Sequence, residues 1–254
     1  MKLYQLYSCA GLLLLLPAGC ALGQTASAAP GEVPPVLRTL RQHYEAGLGF
    51  DSQLYNGQEY VNYVRSYIKG HAFFDSADPQ PGTVEYGGGT YSVPLRYDIV
   101  REVLVLKAPL GALTLQLINE RVTRFSLGSH SFIRLVADSG RAAPIRTGFY
   151  EVLVDGSVQL LAAHRKNLQQ RSVAGGMEGE ITQKDEFFVR QGTELHSVGK
   201  AKSVLALFPE SKARLREYIK TRKLQFSSTR RQEALTALLQ YYATLPVPSS
   251  PARH

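Results

Sequence analysis

Thr83-Val-Glu-Tyr-Gly-Gly-Gly-Thr-Tyr-Ser-Val93 is the stretch that decides the fold. Two β-prone runs, Thr83-Val-Glu-Tyr86 and Thr90-Tyr-Ser-Val93, flank three glycines that can adopt the positive φ of a tight turn. The pattern therefore predicts a β-hairpin. No helix follows Gly87-Gly-Gly89 and no Lys-Ser/Thr ends it, so it is a turn and not a phosphate-cradling loop.

Outward from this hairpin the same grammar repeats. Alternating apolar runs at 95–100, 102–107, 113–118, 122–127 and 132–136 are separated by Pro109-Leu-Gly, Asn119-Glu and Gly128-Ser-His-Ser. Asp155-Gly156 between the runs 149–154 and 157–163 is a strong hairpin signal. A last hairpin spans 187–198 around Gln191-Gly-Thr. Helices long enough for parallel crossovers are missing between the strands, so the sheet is expected to be antiparallel. The fold class expected is mainly β: an antiparallel meander forming a curled sheet, sandwich or partly open barrel, followed by C-terminal helices. Residues 171–184, with Gly175, Gly176 and Gly179, read as a flexible excursion. Residues 60–68 fit a helical stripe and a strand face alike, and their β-branched and aromatic content favours an extended segment.

Beyond the strands the chain turns helical. Pro209 suits a first helical position, with Leu215, Tyr218 and Ile219 on one face. Thr229-Arg-Arg-Gln232 has the spacing of a capping box, and Ala234, Leu235, Leu238, Leu239 and Tyr242 form an apolar stripe after it. Ten Lys/Arg lie between Lys200 and Arg231, against Glu210 and Glu217 alone. The formal charge of the whole chain is +8, so this segment carries the entire basic excess. Lys212, Arg214, Arg216, Lys220, Arg222 and Lys223 either meet an anionic surface or partner, or form the solvated side of a packed helix. Stacking aromatics do not alternate with these charges, and nucleic acid is not an expected ligand.

At the opposite end Lys2 precedes Ala10-Gly-Leu-Leu-Leu-Leu-Leu-Pro17, and small residues fill 18–29. This is the order of a secretory signal peptide. Its apolar run falls short of the roughly 20 residues of a spanning helix. Cleavage after Gly23 or Ala28 would remove both Cys9 and Cys20 and leave no thiol for catalysis or metal binding. The rival is lipidation at Cys20, where Ala18 and Gly19 suit a lipobox but Pro17 stands where Leu is usual. The expected organisation is a signal peptide at 1–23, a leader with a short helix at 24–50, a β domain at 51–199, a basic helical appendage at 200–245 and a disordered tail at 246–254. The expected location is secreted or periplasmic.

Catalytic motifs are absent: there is no His-Glu-x-x-His and no Gly-x-Ser-x-Gly. No cofactor and no metal are expected. Two clusters remain. Gly70-His71-Ala-Phe-Phe-Asp75 sets an imidazole and a carboxylate on one loop, either as ligand or acid/base groups or as a loop pinned by Phe73 and Phe74. Arg96-Tyr97-Asp98 places Arg96 and Asp98 on one strand face and Tyr97 on the other; the pair grips a polar ligand or forms a sheet-surface ion pair. His130, His164 and His196 read as structural histidines.

Leu54-Tyr-Asn-Gly57, Gly70-His-Ala-Phe-Phe74, Val93-Pro-Leu-Arg-Tyr-Asp-Ile99, Phe208-Pro-Glu-Ser-Lys-Ala-Arg-Leu-Arg-Glu-Tyr-Ile219 and Ala234-Leu-Thr-Ala-Leu-Leu-Gln-Tyr-Tyr242 resemble segments of secreted proteins common in Bacteroidota. The resemblance runs from about Gln53 to Leu245. It implies a compartment and an organisation, but no activity and no catalytic residue. Three functions are consistent with the sequence. The leading one is a non-enzymatic envelope binding module, with an envelope protein or an anionic envelope surface as partner. The second is a carrier of an apolar or lipid-like ligand, lined by Tyr86, Tyr91, Tyr97 and Tyr150. The third is an envelope hydrolase using His71 and a nearby carboxylate.

Overall fold

The computed structural model describes residues 53–108, 113–137 and 145–245. The leader, its expected helix near Val36, both cysteines and the tail from Pro246 lie outside the described residues. Twelve strands form one sheet: β1 (Gln58–Glu59), β2 (Ile68–Lys69), β3 (Gln80–Tyr86), β4 (Gly89–Asp98), β5 (Val103–Lys107), β6 (Thr114–Gln116), β7 (Val122–Leu127), β8 (His130–Leu135), β9 (Gly148–Val154), β10 (Val158–Val173), β11 (Gly176–Gln191) and β12 (Glu194–Val198). Their spatial order is β1-β6-β5-β4-β3-β7-β8-β9-β10-β11-β12, antiparallel throughout, with β2 added parallel to β11. The sheet is therefore open and meander-like, as its spacing of turns predicts. Three helices follow, α1 (Ala201–Leu207), α2 (Lys212–Thr221) and α3 (Arg231–Thr244). Among the described residues no helix is long and apolar enough to cross a membrane.

Ring contacts show that the sheet curls. Tyr97 on β4 and Phe149 on β9 are four strand spacings apart, about 19 Å if the sheet were flat. Their ring centroids are 5.7 Å apart. Phe125 and Phe132 fill the space between them, stacked at 4.6 Å. With Val84, Tyr86, Leu95, Leu104 and Leu127 they form the core inside the curl. The same sheet face then continues along β9–β12 as Leu160, Ala162, Phe187 and Val189, and here the helices cover it with Val204, Leu215, Leu235, Leu238 and Leu239. The opposite face carries a smaller cluster of Tyr150, Leu161, Ala163 and Phe188.

Pro94 does not divide β4 into the two strands that its sequence suggests. It lies opposite Pro81. The Pro81 carbonyl accepts from Gly128, on the β7 side, so this pair is one where the strands exchange no hydrogen bonds. Neither missing N–H costs a hydrogen bond between β3 and β4.

The excursion expected at 171–184 is instead the far half of a long hairpin. β10 and β11 pair without a break from Val158↔Gln191 to Val173↔Gly176. Gly176 has φ 129° and serves the two-residue turn. Gly179 admits β2, since a Cβ there would sit 2.9 Å from Ile68 Cγ1. The glycines mark a turn and a close approach, not a loose loop. The capping box is a second correction: α3 starts at Arg231 with no side-chain cap, and the Thr229 hydroxyl lies by Ser227 Oγ.

Candidate functional site

The described residues that concentrate chemistry are a chain of imidazoles and carboxylates whose two inner members, Glu151 and His164, are buried. It lies on the concave sheet face, between the core inside the curl and the core under the helices. His130 opens β8, Glu151 is central on β9, His164 is on β10 and Asp185 on β11. Register brings them together: β8–β9 pairs Phe132 with Glu151, β9–β10 pairs Glu151 with Ala162, and β10–β11 pairs His164 with Asp185. Side chains two residues apart on a strand share a face, so His164 is the diagonal neighbour of Glu151.

The bonds run in series. His130 Nδ1 lies 2.5 Å from Glu151 Oε1, Glu151 Oε2 lies 2.7 Å from His164 Nε2, and His164 Nδ1 lies 2.8 Å from Asp185 Oδ1. Gln183 Nε2 donates to Asp185 at 2.9 Å. Both nitrogens of His164 face carboxylates, so both carry protons and the ring is an imidazolium. Burial penalises that charge, yet the hydrogen bonds and charges of Asp185 and Glu151 outweigh the penalty and push His164 up to about 9. Burial alone would raise Glu151 and Asp185. Their bonds to the histidines, with that of Gln183 to Asp185, hold both carboxyls below the usual range. Phe74 closes the chain from above, its ring 5.0 Å from both His130 and His164.

Lys166, two residues beyond His164, ties this chain to the loop that contains His71. Its Nζ donates to the carbonyls of His71 at 3.0 Å and Phe73 at 2.5 Å. Phe73 and Phe74 are both buried, which pins the loop as one reading of the sequence expects. His71 does not meet Asp75. Its Nδ1 is buried without a hydrogen-bond partner among the described residues, and burial followed by the Lys166 charge lowers its pKa. Asp75 is exposed and accepts from Gln80 Nε2 at 3.1 Å.

The Arg96-Tyr97-Asp98 alternation is as expected, but the ion pair is not. Asp98 is completely buried and accepts from Tyr60 Oη at 2.9 Å, Tyr63 Oη at 3.0 Å and the amides of Val100 and Arg101. Arg96 lies over the Phe73 ring at 4.4 Å instead. A buried carboxylate satisfied by four donors has no need of a surface cation. Tyr97 faces the curl core. So do Tyr86 and, at its margin, Tyr91, whereas Tyr150 is on the opposite face with its hydroxyl donated to the Arg146 carbonyl. The four tyrosines therefore do not line one interior.

In the tail, Leu215 is buried and Tyr218 and Ile219 pack against the helix-covered core, while Lys212, Arg214, Arg216, Lys220, Arg222 and Lys223 are all exposed. Among the described residues, no carboxylate approaches any of the ten cations from Lys200 to Arg231 within 4.0 Å.

Chemically the chain can hold a proton at His164 and orient the His130 ring through its Nδ1. Among the described residues no hydroxyl hydrogen-bonds either imidazole, and no three His, Cys, Asp or Glu side chains converge as metal ligands. Sequence reasoning left these four residues unconnected. The available signal was polar residues at inward strand positions, Glu151 between Phe149 and Leu153, and His164 two places after Ala162. No family model, curated protein or solved structure matches this chain.

Proposed function

We propose that the protein is a non-catalytic binding module of the secreted or envelope compartment, and that it meets an anionic envelope surface through the outer flank of α2. One observation carries this reading: among the described residues, the six cations on α2 and just past its end are exposed with no carboxylate within 4.0 Å, while the other side of α2 is fixed in the core. Lys212, Arg216 and Lys220 recur every four residues, so they stack along one flank over about 12 Å. Arg214 lies across the helix, and Arg222 and Lys223 follow its end. Each Lys or Arg held at an anionic surface contributes about 1 kcal/mol. The leader read from the sequence supports the compartment.

Co-sedimentation of the exported chain with lipid vesicles tests this. Vesicles of phosphatidylcholine mixed with phosphatidylglycerol should retain the protein at low salt and release it as salt rises, while pure phosphatidylcholine should not retain it. Lys212→Glu combined with Arg216→Glu and Lys220→Glu should abolish retention. Equal binding to both vesicle types, no binding to either, or undiminished binding of the triple variant overturns the reading. The mass of the exported chain distinguishes cleavage after Gly23 or Ala28 from lipidation at Cys20.

A further inference from the structure

A second feature lies away from α2, at the end of the curl. A cavity of about 320 Å³ opens beside Phe149, where the turn after β4, the turn at Asn119–Arg121 and the β8–β9 pair converge. We propose that it binds a small molecule bearing a carboxylate or phosphate, gripped by Arg134 and Arg146, with an adjacent N–H or O–H of the ligand donating to Asn119 Oδ1.

The charges in the wall separate into those already engaged and those left over. Arg101 is engaged, lying over Tyr63 at 3.7 Å. Glu102 is engaged through Oε1, which accepts from Arg165 Nε at 2.8 Å. Glu120, the other wall carboxylate, is exposed and pairs with neither remaining arginine. Among the described residues the guanidiniums of Arg134 and Arg146 have no carboxylate within 4.0 Å. Arg134 is opposite Phe149 in the β8–β9 register, so strand alternation aims it to the concave side where the cavity opens. Two guanidinium forks at one small cavity match the planar or tetrahedral oxygens of an oxyanion.

Two further observations point to the same place. Asn119 Nδ2 donates to the Glu102 carbonyl at 2.8 Å, which fixes the amide orientation. Its Oδ1 is then a buried acceptor with no partner among the described residues, and buried acceptors rarely stay unmet. Glu102 adopts φ 55°, a left-handed conformation costly for a non-glycine residue, and is held there by Arg165 and Asn119. The volume is at the lower end for ligand sites, which suits a small molecule and not a polymer.

The probes are inorganic phosphate and N-acetylglycine, which carries a carboxylate and one N–H. Each is titrated by calorimetry into the exported chain at constant ionic strength in chloride. Saturable one-to-one binding is expected for at least one probe. Phosphate alone assigns a phosphoryl ligand and N-acetylglycine alone a carboxylate ligand. Arg134→Gln and Arg146→Gln should each weaken binding by about tenfold or more, with circular dichroism and thermal midpoint unchanged. Asn119→Asp should weaken it further by repelling the anion. The Lys212→Glu/Arg216→Glu/Lys220→Glu variant should bind as the parent does, which separates this cavity from the α2 flank. No saturation by either probe up to about 10 mM, or parental affinity in the Arg134→Gln/Arg146→Gln double variant, overturns the proposal.

Discussion

Replacing His164 by alanine should remove both the linkage between Glu151 and Asp185 and a pH dependence of stability. In the fold its pKa is raised from 6.5 to about 9. A group raised in this way stabilises fully below its unfolded value, so its contribution is complete below pH 6.5 and is lost as pH climbs through about 9. The difference corresponds to about 3 kcal/mol. Glu151 and Asp185 act oppositely: their pKa values are lowered, so their contribution is present above the ordinary carboxylate range and is lost as pH falls. The three titrate as one coupled unit, with greatest stability between about pH 4.5 and 6.5. His164→Ala leaves Glu151 buried against His130 alone, which costs about 3–5 kcal/mol near pH 6. Urea unfolding followed by far-ultraviolet circular dichroism at several pH values reads both effects. With a slope of about 2 kcal/mol per molar urea, the native midpoint should fall by about 1–2 M between pH 6 and 9.5. The variant should begin lower and vary little over that span. A native midpoint that stays constant between those pH values, or a variant that keeps the native slope, refutes the imidazolium assignment.

Asp98→Ala should cost about 2–4 kcal/mol, since two tyrosine hydroxyls and two amides lose their acceptor. In the same variant Tyr60 and Tyr63, which burial and then the Asp98 charge and hydrogen bond hold above the ordinary value of 10, should ionise earlier in an ultraviolet titration. Leu238→Ala, at a fully buried position of α3, should lower stability by about 2–5 kcal/mol in urea titrations, and an effect below about 1 kcal/mol would mean that the helix does not seal the core. Amide exchange separates the long hairpin from a loose loop: alternate amides from Gln169 to Ser172 should be protected, and unprotected exchange throughout would contradict the ladder.

The parts of this fold that were legible are those where side chains alone carry the signal. Asp155-Gly156 between alternating apolar runs marked the turn that joins β9 to β10, and the stripe of Leu235, Leu238 and Leu239 marked the buried side of α3. The distal hairpin was not legible because neither of its faces is buried. From Gln169 to Val173 every side chain is exposed, and no apolar alternation records a pairing that backbone bonds maintain. The charge of the tail was countable, but its exposure and lack of partners follow from which side of α2 the core takes. The imidazole–carboxylate chain was hidden for a further reason. His130 and Glu151 are 21 residues apart, Glu151 and His164 13, and His164 and Asp185 21. Only the register of three successive strand pairs makes them neighbours.

That dependence works in both directions. Apolar side chains on β10 tolerate sliding, because Leu160 and Ala162 face one core while Leu161 and Ala163 face another, and a shift by one residue exchanges one apolar set for the other. His164 does not tolerate it. A slip of one residue against β11 would turn the imidazolium to the opposite face, leave Glu151 buried without it and take from Asp185 its histidine partner. Lys166 would leave the carbonyls of His71 and Phe73 in the same movement, releasing the loop that places Phe74 over the two histidines. The polar chain thus selects one register for strands whose hydrophobic pattern permits two. Its position between the two cores means that the curl and the helix-covered half of the sheet must form in that same register.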